Sequence, residues 1–146
     1  SKFVIKDHGM DYRFNDLYIG KLTILNTSNL DYPEFTFGLT YASKNSFIQI
    51  QQQEVDRHHL AVFSTLPSLN NQVQKFDINI KPFNRKDSYT FDFIISVTDE
   101  MNVQDLKLGT SYPVKLKEVP SITELANLIP NGIELILPFL RLTYSK

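Results

Sequence analysis

The chain contains no cysteine among its 146 residues. A disulfide framework and every thiolate-based zinc site are therefore excluded. Glycine is scarce as well, with 5 residues, which excludes a collagen-like repeat and makes a glycine-rich phosphate-binding loop improbable. Hydrophobic residues make up 42% of the chain and aromatic residues 12%, a composition that excludes intrinsic disorder. A chain of this length can bury one ordinary core without covalent cross-links.

Basic and acidic residues are nearly equal in number. The 15 basic and 16 acidic residues give a net charge of −1, so we expect no duplex nucleic acid as a partner. No apolar run approaches the roughly 20 residues that a membrane-spanning helix needs. The chain does not begin with Met and has no secretory signal, and we therefore expect it to be a piece of a longer protein. The cell envelope is favoured over the cytoplasm as its location.

Alternation of apolar and polar residues with a period of two dominates the sequence. The longest stripe runs from Tyr89 through Phe91, Phe93 and Ile95 to Val97, as a half-buried strand requires. Short polar turns separate the stripes, a spacing typical of sandwiches and barrels. The sequence thus predicts an all-β fold with strands near 2–6, 17–26, 35–41, 46–54, 59–64, 75–81, 89–97, 113–119 and 132–144.

One segment departs from this period. Ser121 precedes Glu124 by three residues, the capping-box spacing in which each side chain bonds the other's free backbone amide. The apolar residues that follow have helical spacing until Pro130, which predicts one short helix at 122–129. Pro138 then interrupts the alternation of 132–144, which favours an edge strand or two short strands. We treat about 120–146 as a C-terminal extension of a single domain covering 1–146.

Two strand–turn–strand segments carry a family resemblance. Residues 22–29, Leu-Thr-Ile-Leu-Asn-Thr-Ser-Asn, form a strand that ends in asparagine and a small-residue turn before the strand 35–39. Residues 78–91 run from an apolar strand through a proline-containing turn into Ser-Tyr-Thr-Phe. Over about 15–98, the sequence resembles the bacterial and archaeal immunoglobulin-like (fibronectin-III-like) domains that occur as modules in envelope proteins.

The chain departs from that family's pattern in both turns. The family usually has glycine there, whereas this chain has Ser28 in the first turn and Arg85 and Lys86 in the second. The resemblance implies an immunoglobulin-like antiparallel β-sandwich of about seven to nine strands. Because such modules are mostly non-catalytic, it transfers no catalytic residue. A closed β-barrel stays open as the alternative, since barrels and sandwiches share the same alternation.

The three histidines are the first candidates for chemistry. His58 and His59 are adjacent, so on a strand they point to opposite faces and do not chelate one ion together. Asp56 shares a face with His58, and His8 with Asp7 could join them only through the fold. The segment that contains Asp56 is more simply interpreted as a solvated turn, and we predict no metal site and no cofactor.

The sequence gives even less support to other candidate catalytic residues than to the histidines. No Gly-x-Ser-x-Gly elbow marks a nucleophile, and the adjacent Asp99 and Glu100 are explained by a solvated strand end. Asn26-Thr27-Ser28 matches an N-glycosylation acceptor, which would matter only in a secreted eukaryotic chain. We therefore predict no catalytic residue and no enzymatic activity.

A basic and aromatic group surrounds one turn. Lys81, Arg85 and Lys86 lie beside Phe83, a combination that can bind single-stranded nucleic acid or nucleotides. A polar turn with Phe83 as its apolar anchor explains the same residues without a ligand, and this interpretation is favoured.

We expect a non-catalytic protein-interaction or structural module, the soluble part of a larger envelope- or membrane-associated protein with a protein partner. The alternative is a β-barrel sensor or carrier of a small molecule such as a nucleotide. That alternative would require Arg13, Arg57 or Arg141 to face inward. For the module, strand addition at an open sheet edge is a known binding mode, and 132–144 is the candidate edge.

Overall fold

The computed structural model describes residues 3–14, 16–41, 46–54, 56–97, 106–114, 116–119, 133–136 and 139–142. Every regular element in these ranges is a β-strand, so the predicted all-β class is confirmed. The strands are β1 (Phe3–Asp7), β2 (Met10–Phe14), β3 (Asp16–Asn26), β4 (Phe35–Tyr41), β5 (Ser46–Gln52), β6 (Leu60–Phe63), β7 (Lys75–Lys81), β8 (Ser88–Val97), β9 (Leu106–Gly109), β10 (Leu116–Val119), β11 (Ile133–Ile136) and β12 (Phe139–Leu142).

The strands form three sheets. β1 and β2 are a separate hairpin, and a four-stranded sheet has the order β6-β7-β4-β9. The six-stranded sheet has the order β10-β11-β3-β8-β5, with β12 also paired to β3. All the described pairs are antiparallel except β10 with β11. Because none of these sheets closes on itself, the barrel alternative is wrong for the described strands.

The two larger sheets pack face to face around one aromatic core. The ring of Phe37 on β4 lies 6.2 Å from that of Phe91 on β8, and the ring of Phe47 on β5 lies 5.0 Å from that of Phe76 on β7. Both contacts are edge-to-face, the arrangement that aromatic quadrupoles favour. The core therefore joins side chains from both sheets, and the fold is a β-sandwich.

The longest pairing determines the register of the sandwich. β3 and β8 pair from Asp16 with Val97 to Leu25 with Ser88. A slip of one residue would turn every side chain of a strand to the opposite face, so the stripe on β8 fixes how β3 lies beside it. A smaller cluster on the outer side of this sheet contains Phe14 and Leu17, and it packs the β1–β2 hairpin onto the sheet.

The strand prediction is correct for most of the sandwich and incomplete at its margins. It missed β2 and β9, and one predicted segment contains both β11 and β12, so the described strands number twelve against the nine expected. The segment 132–144 contains two short strands, as one of its two interpretations required. Its first half, β11, is not an edge because it lies between β3 and β10, whereas β12 has β3 as its one paired neighbour among the described strands. The helix predicted at 122–129 lies outside the described residues.

One position on β3 requires glycine because the ring of Phe93 lies very close to its backbone. Gly20 is opposite Phe93, and a Cβ atom at Gly20 would lie 2.2 Å from Cε2 of that ring. The ring of Phe93 is itself buried and lies 5.7 Å from the ring of Phe47. A side chain at Gly20 would have to push this part of the core apart.

We predict that Gly20→Ala destabilises the fold by about 1–3 kcal/mol, the usual cost of overpacking a well-filled core. Gly109→Ala is the matched control, since a Cβ there meets nothing within 4 Å, and it should change stability by at most about 0.5 kcal/mol. Urea unfolding of both variants measures the difference. Equal transition midpoints would show that the core relaxes around Gly20 at no cost.

Candidate functional site

A buried asparagine joins two connections, β3–β4 and β7–β8, at one end of the sandwich. Nδ2 of Asn26, the last residue of β3, donates to the carbonyl oxygens of Leu30 and Phe83, each at 2.9 Å. Its Oδ1 accepts from the backbone amide of Ser28 at 3.0 Å and from the Ser28 hydroxyl at 2.6 Å. The carboxamide is completely buried and all its hydrogen-bonding capacity is used.

The backbone of Asn26 adds two more bonds to the β7–β8 turn. Its amide donates to the carbonyl oxygen of Asp87 at 3.0 Å, and its carbonyl accepts from the amide of Lys86 at 2.9 Å. Asn26 therefore holds the β3–β4 and β7–β8 connections together. The glycosylation hypothesis for Asn26 is wrong for the folded domain, because Nδ2 is buried and both of its hydrogens are bonded.

A second contact fixes the same turn. The hydroxyl of Tyr89, at the start of β8, donates to the carbonyl oxygen of Pro82 at the start of the turn. Burial, together with the negative charges of Asp87 and Asp56, raises the pKa of Tyr89 to about 12. Tyr89 therefore stays protonated and remains a donor throughout the physiological pH range.

The predicted basic group is neutralised by acidic neighbours. Arg85 donates from its backbone amide to Oδ1 of Asp31 at 2.8 Å and pairs with the same oxygen through Nε at 3.2 Å. The backbone amide and guanidinium of Arg85 hold the pKa of Asp31 below its usual value. Nζ of Lys81 lies 3.3 Å from Oε2 of Glu34. These cations are already partnered.

Phe83 does not face solvent with them. Its side chain is buried, with its ring 5.4 Å from that of Phe35 and 6.0 Å from that of Tyr89. A ring in this position cannot stack on a nucleobase. Phe83 acts as the apolar anchor of its turn. Lys86, the remaining member of the group, lines a polar cleft beside the turn.

A polar cleft of about 270 Å³ opens next to this turn, and we call it the His59 cleft. Nδ1 of His59 lies 3.3 Å from Oδ2 of Asp56, and Nε2 lies 3.4 Å from Oδ1 of Asp87. The His59 ring meets that of Tyr89 edge-on at 5.9 Å. The other residues that line the cleft are Gln52, Gln53, Glu54, Lys86, Ser88 and Thr90.

The two carboxylates of the His59 cleft are fixed by backbone amides. Oδ1 of Asp56 accepts from the amide of His58 at 2.6 Å, and this bond, with a smaller contribution from His59, lowers the pKa of Asp56. Oδ2 of Asp87 accepts from the amide of Asn84 at 2.8 Å. His59 therefore bridges two prepositioned anions that belong to different loops.

The geometry of the cleft does not suit a metal ion. The two carboxylates lie against opposite nitrogens of one imidazole, so no single ion could bind His59 and both of them. In the ranges that the structure covers, no group of three His, Asp or Glu side chains has a metal-binding arrangement. His58 lies exposed beside Arg57, and His8 is in the β1–β2 turn, paired with Asp7 at 3.6 Å.

Two more sequence candidates, Arg13 and Arg57, do not line the His59 cleft. Arg13 and Arg57 are both exposed, so neither faces the core as the nucleotide hypothesis required. Arg141 lies on β12, and its side chain is outside the described part, as are Asp99 and Glu100.

An apolar surface lies beside the cleft on β6. Leu60 and Val62 point outward and are 45% and 61% exposed, while Ala61 and Phe63 pack against the core. Leu66, just beyond the strand, is 60% exposed. We call Leu60, Val62 and Leu66 the β6 apolar surface. On the same face of the sheet, the outward residues of β7 and β4 are polar: Lys75, Asp77, Asn79, Lys81, Thr36 and Thr40.

Comparison with protein-family models, with curated proteins and with solved structures finds no match to this chain. In the described ranges, no helix is long and apolar enough to cross a membrane.

Sequence reasoning identified Asn26 only through its strand ending, and it missed Asp87, Tyr89 and Gln52. Tyr89 carried a local signal, since it opens the longest apolar stripe seven residues after Pro82. The contact of Asp87 with His59 joins two loops that are distant in the sequence, so it has no local signal. Gln52 is close to His59 in the sequence, but its side chain crosses from one sheet to the edge of the other, which alternation does not indicate.

We predict that Asn26→Ala destabilises the domain by roughly 1–3 kcal/mol or more, because it leaves buried carbonyl and amide groups without partners. Asn29→Ala, in the same loop but exposed, should change stability by at most about 0.5 kcal/mol. Chemical unfolding of both variants measures the two effects. Similar small losses in both would contradict the central role of the Asn26 carboxamide.

Proposed function

We propose that this chain is a non-catalytic, immunoglobulin-like interaction module that binds a protein partner through the β6 apolar surface. The observation that carries the proposal is the exposure of Leu60 and Val62 on a sheet face that is otherwise polar. Exposed apolar patches with polar surroundings mark interaction sites in soluble domains.

The strand order supports the immunoglobulin-like part of the proposal. In such domains strands A, B, E and D form one sheet, and C, F and G form the other. Here β4, β5, β6, β7 and β8 follow the pattern of B, C, D, E and F, with β6-β7-β4 in one sheet and β8-β5 in the other. The flanking strands differ, because β3 lies beside β8 where G would be and β9 lies beside β4 where A would be.

Two details of the core also support it. Tyr89 corresponds to the tyrosine corner, a residue near the start of strand F whose hydroxyl bonds the backbone a few residues upstream. Phe91, two residues later, stands where antibody domains have the second cysteine. Its contact with Phe37 on β4 replaces the disulfide between strands B and F, in agreement with the absence of cysteine.

The state of the polar side chains supports a non-catalytic role. Arg85 and Lys81 are each paired with a carboxylate, and both ring nitrogens of His59 lie against carboxylates, so His59 presents no unpaired ring nitrogen to a substrate. The competing sensor hypothesis depended on a barrel and on inward-facing arginines. Neither feature occurs in the described part of the chain.

Site-specific photo-crosslinking in the native host tests the proposed partner surface. A benzophenone amino acid replaces Val62 in one variant and Thr40, exposed on the same sheet, in the control. We expect one discrete protein adduct from position 62 and none from position 40. Leu60→Asp should abolish the adduct, because it places a charge beside the probe on the same face.

Leu30→Asp is the matched control for that substitution, since Leu30 is 55% exposed but lies on the β3–β4 loop. It should leave the adduct unchanged. Equal adducts from positions 62 and 40, no adduct from position 62, or equal loss with both aspartate variants would contradict the proposal.

A further inference from the structure

β6 is an edge strand in the described part of the chain. Its paired neighbour is β7, and the amide of Ser64, just after the strand, donates to Asp77 on β7 at 2.9 Å. Successive backbone amides of a strand alternate in direction, so the amides of Ala61 and Phe63 point away from β7. This outer edge would be available to another strand.

The side chain of Gln52 occupies part of that edge. Its Oε1 accepts from the amide of Ala61 at 2.9 Å, and its Nε2 donates to the carbonyl oxygen of His59 at 2.9 Å. In a parallel ladder, a residue accepts from the amide one position after its partner and donates to the carbonyl one position before it. The side-chain carboxamide of Gln52 therefore imitates one backbone residue of a parallel strand paired with Leu60. It makes both of the hydrogen bonds that such a residue would make, to Ala61 and to His59.

Apart from its short length, β6 has no other protection within its own four residues. Edge strands usually avoid association through charged side chains, proline or a bulge. The sequence Leu-Ala-Val-Phe contains no charge and no proline, and its pairing with β7 is regular. Gln52 comes from β5 in the opposite sheet, so its two bonds also join the edges of the two sheets.

We propose that Gln52 is an edge-protecting residue that prevents β6 from pairing with the β6 of a second copy of this chain. A second copy is the partner that fits, because a two-fold axis would place two identical, uncharged apolar strands side by side. No like charges would then face each other across the new pair. This inference is independent of the proposed partner surface, which uses side chains on the face of the sheet.

The first test compares molar mass across a concentration series by light scattering. We expect the wild-type chain and Gln51→Ala, an exposed glutamine of the same strand, to be monomeric. Gln52→Ala should shift toward the dimer mass as concentration rises. Adding Ala61→Pro to that variant should restore the monomer, because proline lacks the amide that edge pairing needs.

Three results would overturn the proposal. The first is a folded Gln52→Ala variant, verified by circular dichroism, that stays monomeric. The second is a Gln52→Ala dimer that persists with Ala61→Pro. The third is a wild-type dimer that Ala61→Pro alone returns to monomer.

Hydrogen exchange of the wild-type chain tests the same contact without a variant, and so decides the case if Gln52→Ala does not fold. The amides of Ala61 and Phe63 point to the same edge, but Gln52 bonds only Ala61. We expect the Ala61 amide to exchange about tenfold more slowly, as one additional hydrogen bond allows. Equal exchange rates would overturn the proposal.

Discussion

The buried carboxamide of Asn26 is the interaction on which one end of this sandwich depends. It bonds both the β3–β4 loop and the β7–β8 turn, and the backbone of the same residue bonds Lys86 and Asp87. The position of Asp87 in turn fixes His59, whose carbonyl accepts the bond from Gln52. The contacts that begin at Asn26, at the buried end of β3, therefore continue through three loops to β6 at the edge of the opposite sheet. Because a buried amide must have all its partners, this arrangement is strongly specified.

The interior of the sandwich could be predicted from the sequence because its signal is local. Alternation locates β3, β4, β7 and β8 wherever one face of a strand is buried and the other is not. The short strands β2 and β9 are harder to predict from the sequence. β2 alternates at Met10, Tyr12 and Phe14, but it is five residues long and packs in a small cluster outside the main core. β9 has four residues and ends at Gly109, a length at which alternation has little power to discriminate.

The candidate site could be predicted only in part, because its local turns have a sequence signal and the contacts between its loops do not. The sequence indicated the turn around Asp56 and the polar turn anchored by Phe83, both of which depend on neighbouring residues. The pairing of Arg85 with Asp31 joins positions 54 residues apart, and no local pattern encodes it. Gln52 lies near β6 in the sequence, but its side chain crosses from one sheet to the edge of the other. Contacts of both kinds follow from how the strands are arranged in the two sheets, which alternation alone does not specify.

Exchange of the two side-chain amide protons of Asn26, followed by NMR, tests most directly whether this carboxamide is buried and fully bonded. The side chain of Asn71, which is exposed, provides the reference in the same spectrum. We expect two separate Asn26 proton signals that exchange with solvent much more slowly than those of Asn71. Exchange at the rate of Asn71 would show that the carboxamide is open to water and that Asn26 does not hold this end of the sandwich together.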